Sequence, residues 1–104
     1  MSVASQSVKQ RLRITLRGAV QGVGFRPFVY RVATEMSLNG WVLNSSSGLV
    51  VEVEGTLNEL KLFEKRIDSE RPKASVITAR ETEQLPLQGF ITFEIHHSEN
   101  DSAK

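Results

Sequence analysis

Two stretches of this chain carry residue types that can hold an anion and position a water molecule. The first is Gly18-Ala19-Val20-Gln21-Gly22-Val23-Gly24-Phe25-Arg26, three glycines and an arginine directly ahead of Pro27. The second is Gly40-Trp41-Val42-Leu43-Asn44, whose last residue lies 18 positions after Arg26. Main-chain N–H groups at a helix start have no partner inside the helix and carry partial positive charge, which draws phosphate. Glycines let such a loop curl so that successive N–H groups face inward as a nest. Gln21, Gly22, Val23, Gly24 and Phe25 would then bring their amides to a phosphate, and Arg26 would add a planar fork that holds two of its oxygens. Asn44 offers an uncharged donor and acceptor suited to orienting a water molecule.

Each feature also has a plainer reading. A glycine-rich turn before a helix is often only a turn, and an isolated asparagine such as Asn44 is often a turn residue. The known glycine fingerprints fail here. A dinucleotide pattern needs glycine where Pro27 stands, and no Gly-Lys-Ser or Gly-Lys-Thr ending makes a Walker loop. Arg26 is more informative, because an arginine at a helix start opposes the helix dipole and so serves something other than the helix. His96-His97, with no cysteine in the chain, reads as a solvated strand end rather than a metal site. Glu52 and Glu54 share one strand face and read as solvated carboxylates. No Ser-His-Asp set is present, and no cofactor is expected.

The elements around these residues decide whether they meet. Leu12, Ile14 and Leu16 alternate with Arg11, Arg13, Thr15 and Arg17, the period-two pattern of a half-buried strand. A helix is predicted to start at Pro27, with Arg26 held outside it. Phe28, Val29, Val32, Ala33 and Met36 give it one buried stripe, and Asn39-Gly40 supplies its stop. Trp41–Leu43 is a short strand, Asn44–Gly48 a turn and Leu49–Glu54 the returning strand, with Leu49, Val51 and Val53 on one face and Gly55 ending it. Thr56 and Glu59 form a capping box for a second helix with Leu57, Leu60, Phe63 and Ile67 inward, closed by Arg71-Pro72. Ala74–Gln84 and Phe90–Ile95 are two more strands, joined as a hairpin by Leu85–Gly89, and Ile91, Phe93 and Ile95 alternate in the last. The order β-α-β-β-α-β predicts an α+β, ferredoxin-like split βαβ sandwich with an antiparallel-type sheet and two helices on one face. In such a unit the first two strands run parallel through a right-handed crossover. Their carboxyl ends share one edge of the sheet, so Arg26 and Asn44 converge there.

Composition narrows the classes. A chain of 104 residues fits one compact domain, placed at residues 11–96 between a loose lead-in at 1–10 and a polar tail at 97–104. With 13 basic and 12 acidic residues the net charge is +1, short of the basic excess of a phosphate-backbone binder, so no nucleic acid is expected. The strand Leu49–Glu54 also lacks the aromatics on which RNA-recognition sheets stack bases. Apolar runs are too short to span a bilayer or to form a signal peptide, so no membrane association is expected and the chain reads as cytoplasmic.

Gly18–Arg26 followed by Gly40–Asn44 and Gly48 resembles the acylphosphatase family pattern, and the resemblance covers about residues 11–96. It implies metal-independent hydrolysis of the carboxyl–phosphate anhydride of acyl phosphates. By the same resemblance, Arg26 and the preceding loop amides bind the phosphate and Asn44 orients the attacking water. Phe25-Arg26-Pro27-Phe28-Val29 and Pro72-Lys73-Ala74-Ser75-Val76 are most similar to the N-terminal acylphosphatase-like domain of the carbamoyltransferases that mature nickel–iron hydrogenases. That likeness implies carbamoyl phosphate as substrate and the later domains of a larger carbamoyltransferase as partners. Ser47 stands where the family often has an acidic residue. A free-standing acylphosphatase and a non-catalytic phosphate-binding or interaction domain remain open beside it.

Overall fold

The computed structural model describes residues 8–97. The elements in chain order are β1 (Lys9–Ala19), α1 (Phe25–Glu35), β2 (Asn39–Ser45), β3 (Gly48–Thr56), α2 (Leu57–Glu70), β4 (Val76–Leu85) and β5 (Phe93–His96). The sheet order is β4-β1-β3-β2-β5. β3 lies between β1 and β2 and is antiparallel to both, which makes β1 and β2 parallel. Both helices pack on one face of this α+β, ferredoxin-like sheet. Alternation in the strands sends Ile14, Leu16, Val42, Leu49, Val51 and Val53 to that face, where they meet Val29, Val32 and Phe63 in one core. Each large apolar side chain buried there contributes about 1.5–3 kcal/mol.

Several boundaries differ from the sequence expectation. β1 begins at Lys9, paired with Thr56, so residues 9 and 10 belong to the sheet and not to a lead-in; residues 1–7, with 98–104 of the expected tail, lie outside the described residues. α1 begins at Phe25, with Arg26 inside its first turn, because Gly24 takes a left-handed φ of 80° and caps the helix. Pro27 then falls third in the helix, where an amide is likewise not needed. The same helix ends before Asn39-Gly40. Ser37, at φ 58°, takes the left-handed position expected of a glycine. The amides of Ser37 and Leu38 donate to Thr34 and Ala33 carbonyls at 3.1 and 2.9 Å, a Schellman closure. β3 runs through Gly55 to Thr56, since Gln10 pairs with that glycine. The capping box forms as expected, with Glu59 N donating to Thr56 Oγ1 and Thr56 N to Glu59 Oε1. Leu57, expected inward, stands exposed.

The largest difference is at the carboxyl end. β4 and β5 are no hairpin: they occupy opposite edges of the sheet. β5 pairs in parallel with β2, so the segment between β4 and β5 crosses the sheet instead of turning back. Glu54 explains how. Its carboxylate accepts the amides of Gln88, Gly89 and Phe90 at 2.6, 3.1 and 2.9 Å, and Arg11 Nη1 donates to the Pro86 carbonyl. Burial alone pushes the Glu54 pKa up, and the three amides with Arg11 reverse it, holding the carboxyl below its ordinary range. Ile91, outside β5, is exposed rather than inward.

Glu52 and Glu54 are therefore buried, not solvated. Glu52 is gripped by Arg11 and Arg13, both at 2.6 Å in their closest ion pairs. A carboxylate withdrawn from water is tolerated only with such partners.

Candidate active site

The β1–α1 loop is pinned by its apolar residues. Val20 and Phe25 are buried, Val23 packs against the core, and the Phe25 ring meets Phe28 edge-on at 5.5 Å. Between these anchors Gly22 and Gly24, at φ 76° and 80°, bend the chain in a way that L side chains rarely adopt. No side chain caps α1, and its first turn holds no acidic residue. Its opening amides thus meet no capping carboxylate among the described residues. Gln21 ties the loop to the next strand end, donating from Nε2 to the Ser45 carbonyl at 3.0 Å.

Arg26 is held from an unexpected side. Its Nη1 donates to the carbonyls of His96 and His97 at 2.9 and 2.8 Å. Both Nη1 hydrogens are thereby used, and no described residue accepts from Nε or Nη2, which keep donors for an anion. Because β5 runs parallel to β2, its carboxyl end lies on the same sheet edge as the loop and Asn44. Asn44 sits near the end of β2 opposite Leu49, and its Oδ1 is buried without a protein partner among the described residues. A buried amide oxygen left without a donor is costly unless water or a ligand supplies one. Beside it, Ser45 Oγ donates to the Gly48 carbonyl and accepts the Ser47 amide at 3.1 Å each, closing the β2–β3 turn.

Gln21, Gly22, Val23, Gly24, Phe25 and Arg26 therefore form one continuous rim, and Asn44 stands at the same edge of the sheet. Sequence reasoning missed the contribution of β5. His96 is no solvated strand end: its ring stacks on Trp41, with centroids 5.5 Å apart and planes 11° from parallel, and its carbonyl holds Arg26. The available signal was topological, since a strand parallel to β2 must end where β2 ends.

The chain matches the acylphosphatase family model over residues 12–95. It is 45% identical over 85 residues to the carbamoyltransferase HypF of Synechocystis sp., covering 82% of this chain and 11% of that protein. It is also 41% identical over 86 residues to the acylphosphatase of Bacillus licheniformis, covering 82% of this chain and 96% of that one. The fold aligns with the crystal structure of full-length HypF in its phosphate- and nucleotide-bound form. The TM-score is 0.84 at 36% identity, over 89% of this chain and 13% of that one. The chain thus spans about an eighth or less of the HypF proteins it matches and nearly the whole of a small acylphosphatase. On the family match across most of its length, the rim of loop amides with Arg26, and the split βαβ sheet beneath them, this chain belongs to the acylphosphatase family.

Proposed function

We propose that this domain hydrolyses acyl phosphates, with the phosphate held by the amides of residues 21–26 and the Arg26 fork. The observation that carries this reading is the anchoring of Arg26 by two main-chain carbonyls at a helix start, which spends one of its nitrogens on fixing the other donors. Asn44 orients the water through its amide. The water oxygen bonds to phosphorus, the P–O bond to the acyl group breaks, and the carboxylate leaves. The proton from water passes to a phosphate oxygen. An acyl phosphate is an activated anhydride, so clamping and alignment supply most of what the reaction requires. The kinship to HypF supports carbamoyl phosphate as the substrate and a larger carbamoyltransferase as the setting, with this domain as its N-terminal part.

This reading holds the substrate by its phosphate end, so acetyl, carbamoyl and aromatic acyl phosphates are expected to react at comparable rates. Phosphate monoesters, with their far higher intrinsic barrier, should be inert. Hydrolysis is expected to proceed without added metal and to be unaffected by EDTA. The test is a side-by-side assay of carbamoyl phosphate and a monoester in metal-free buffer. Magnesium-dependent monoester cleavage would assign the activity elsewhere. Phosphate binding with no acyl phosphate turnover would leave a binding domain.

A further inference from the structure

Trp41 lies in β2 between Gly40 and Val42, both buried, so its side chain is on the sheet face away from the helices. Its register partner in β5 is Glu94, and its indole lies flat on the ring of His96, two residues further along. His96 Nε2 is 3.1 Å from Glu94 Oε1, while its Nδ1 is buried with no hydrogen-bond partner among the described residues. Among the described residues, Trp41 and Glu94 make the ring contact and the polar contact to it. β5 has four residues and one neighbouring strand, so its few ladder hydrogen bonds leave side-chain contacts a large share of its fixation. The main chain at the end of this strand carries the two carbonyls that grip Arg26 Nη1.

We propose that the Trp41–His96 stack is the positioning device of the phosphate site: it fixes the end of β5, and through the carbonyls of His96 and His97 it fixes the Arg26 fork. The inference rests on the reading of Arg26 as the phosphate ligand. Trp41 acts through β5 and does not touch the reacting group, which makes it a positioning residue. Loosening the stack lets the carbonyls wander, and Arg26 then loses orientation before the phosphate arrives. Ordering it becomes part of the cost of binding. Loss should therefore fall on phosphate affinity and KM rather than on turnover of bound substrate.

An aromatic pair of this kind supports an effect of about 2- to 10-fold. Inorganic phosphate binding is measured by calorimetry, and KM and kcat with an acyl phosphate. Trp41→Ala is expected to raise the phosphate Kd and KM by that factor with kcat nearly unchanged. Trp41→Phe, which keeps a ring on His96, should restore most of the affinity. His96→Ala should weaken phosphate binding as much as Trp41→Ala, and the double variant no further. A purely structural role would lower the melting temperature and leave Kd in place. A folded Trp41→Ala with the native phosphate Kd overturns the proposal, as does a Trp41→Phe variant as weak as Trp41→Ala. Should Trp41→Ala fail to fold, His96→Ala carries the same comparison. If Arg26→Ala binds phosphate as tightly as the native chain, the reading of Arg26 itself falls, a result distinct from any Trp41 outcome.

Discussion

Arg26→Ala is expected to abolish phosphate binding at millimolar concentration and to lower kcat/KM for an acyl phosphate by about 10³-fold. Truncating one partner of a desolvated charge pair removes several kcal/mol, and every 1.4 kcal/mol is a factor of ten. Loss of the side chain also leaves the His96 and His97 carbonyls without their donor. His97 is exposed and His96 only partly buried, so water can serve in its place and the fold should persist. Arg26→Lys separates charge from geometry. A lysine brings a point charge and loses the fork, so phosphate affinity should still fall markedly. Thermal melts provide the direct measurement. Phosphate at a hundredfold excess over its dissociation constant should stabilise the native chain by about 2.7 kcal/mol. The Arg26→Ala melt should not respond to phosphate at all. A phosphate response of equal size in both proteins would place the anion elsewhere.

Asn44→Ala carries the second large effect, of a different kind. Turnover should drop by about 10²–10³, the scale for losing one preorganised polar group, with phosphate affinity almost unchanged. The structure makes this separation reasonable: Arg26 is fixed by β5, whereas Asn44 is fixed by its place in the β2–β3 ladder. Removing one does not disturb what holds the other. Steady-state kinetics alongside phosphate calorimetry gives the answer. An Asn44→Ala protein that no longer binds phosphate, yet turns over bound substrate at the native rate, would reverse the two roles.

What the sequence disclosed depended on how local the signal was. Alternation in Leu12–Leu16 and Leu49–Val53, the helical stripes, and the Thr56–Glu59 box are short-range patterns, and the structure carries them except for Leu57, which stands exposed. From these the split βαβ order follows, and it puts the β1–α1 loop and the end of β2 on one edge of the sheet. The misreadings concern features that only a distant part of the chain reveals. Glu52 alternates on its strand as a solvated residue would, and only its pairing with Arg11 and Arg13 of β1 buries it. Leu85–Gly89 has the composition of a hairpin turn, but Glu54, more than thirty residues earlier, draws 88–90 across the sheet. Ser37 in a left-handed conformation gives no compositional sign, since glycine or asparagine is the expected type there. Of the candidate site, the motif offers the loop residues and Asn44 as candidates. The anchor of Arg26 was not legible, because carbonyls have no residue type.

The carboxylate of Glu54 makes the crossing that leads into β5 sensitive to acid. Glu54 holds the amides of 88–90 ahead of the strand, and Arg26 holds two carbonyls at its end. The two fasteners differ in chemistry. Glu54 has its pKa lowered by folding, so its contribution is present above the pKa of an unfolded glutamate and is lost as pH falls through the folded value. Acid thus undoes the Glu54 contacts, so the segment 88–90 should loosen before β5 itself, which keeps Phe93 in the core and the Thr92 carbonyl on the Gly40 amide. A reversible loosening of this kind would open the 88–90 crossing while the β1–α1 loop and Arg26 stay in place as the domain approaches acid unfolding.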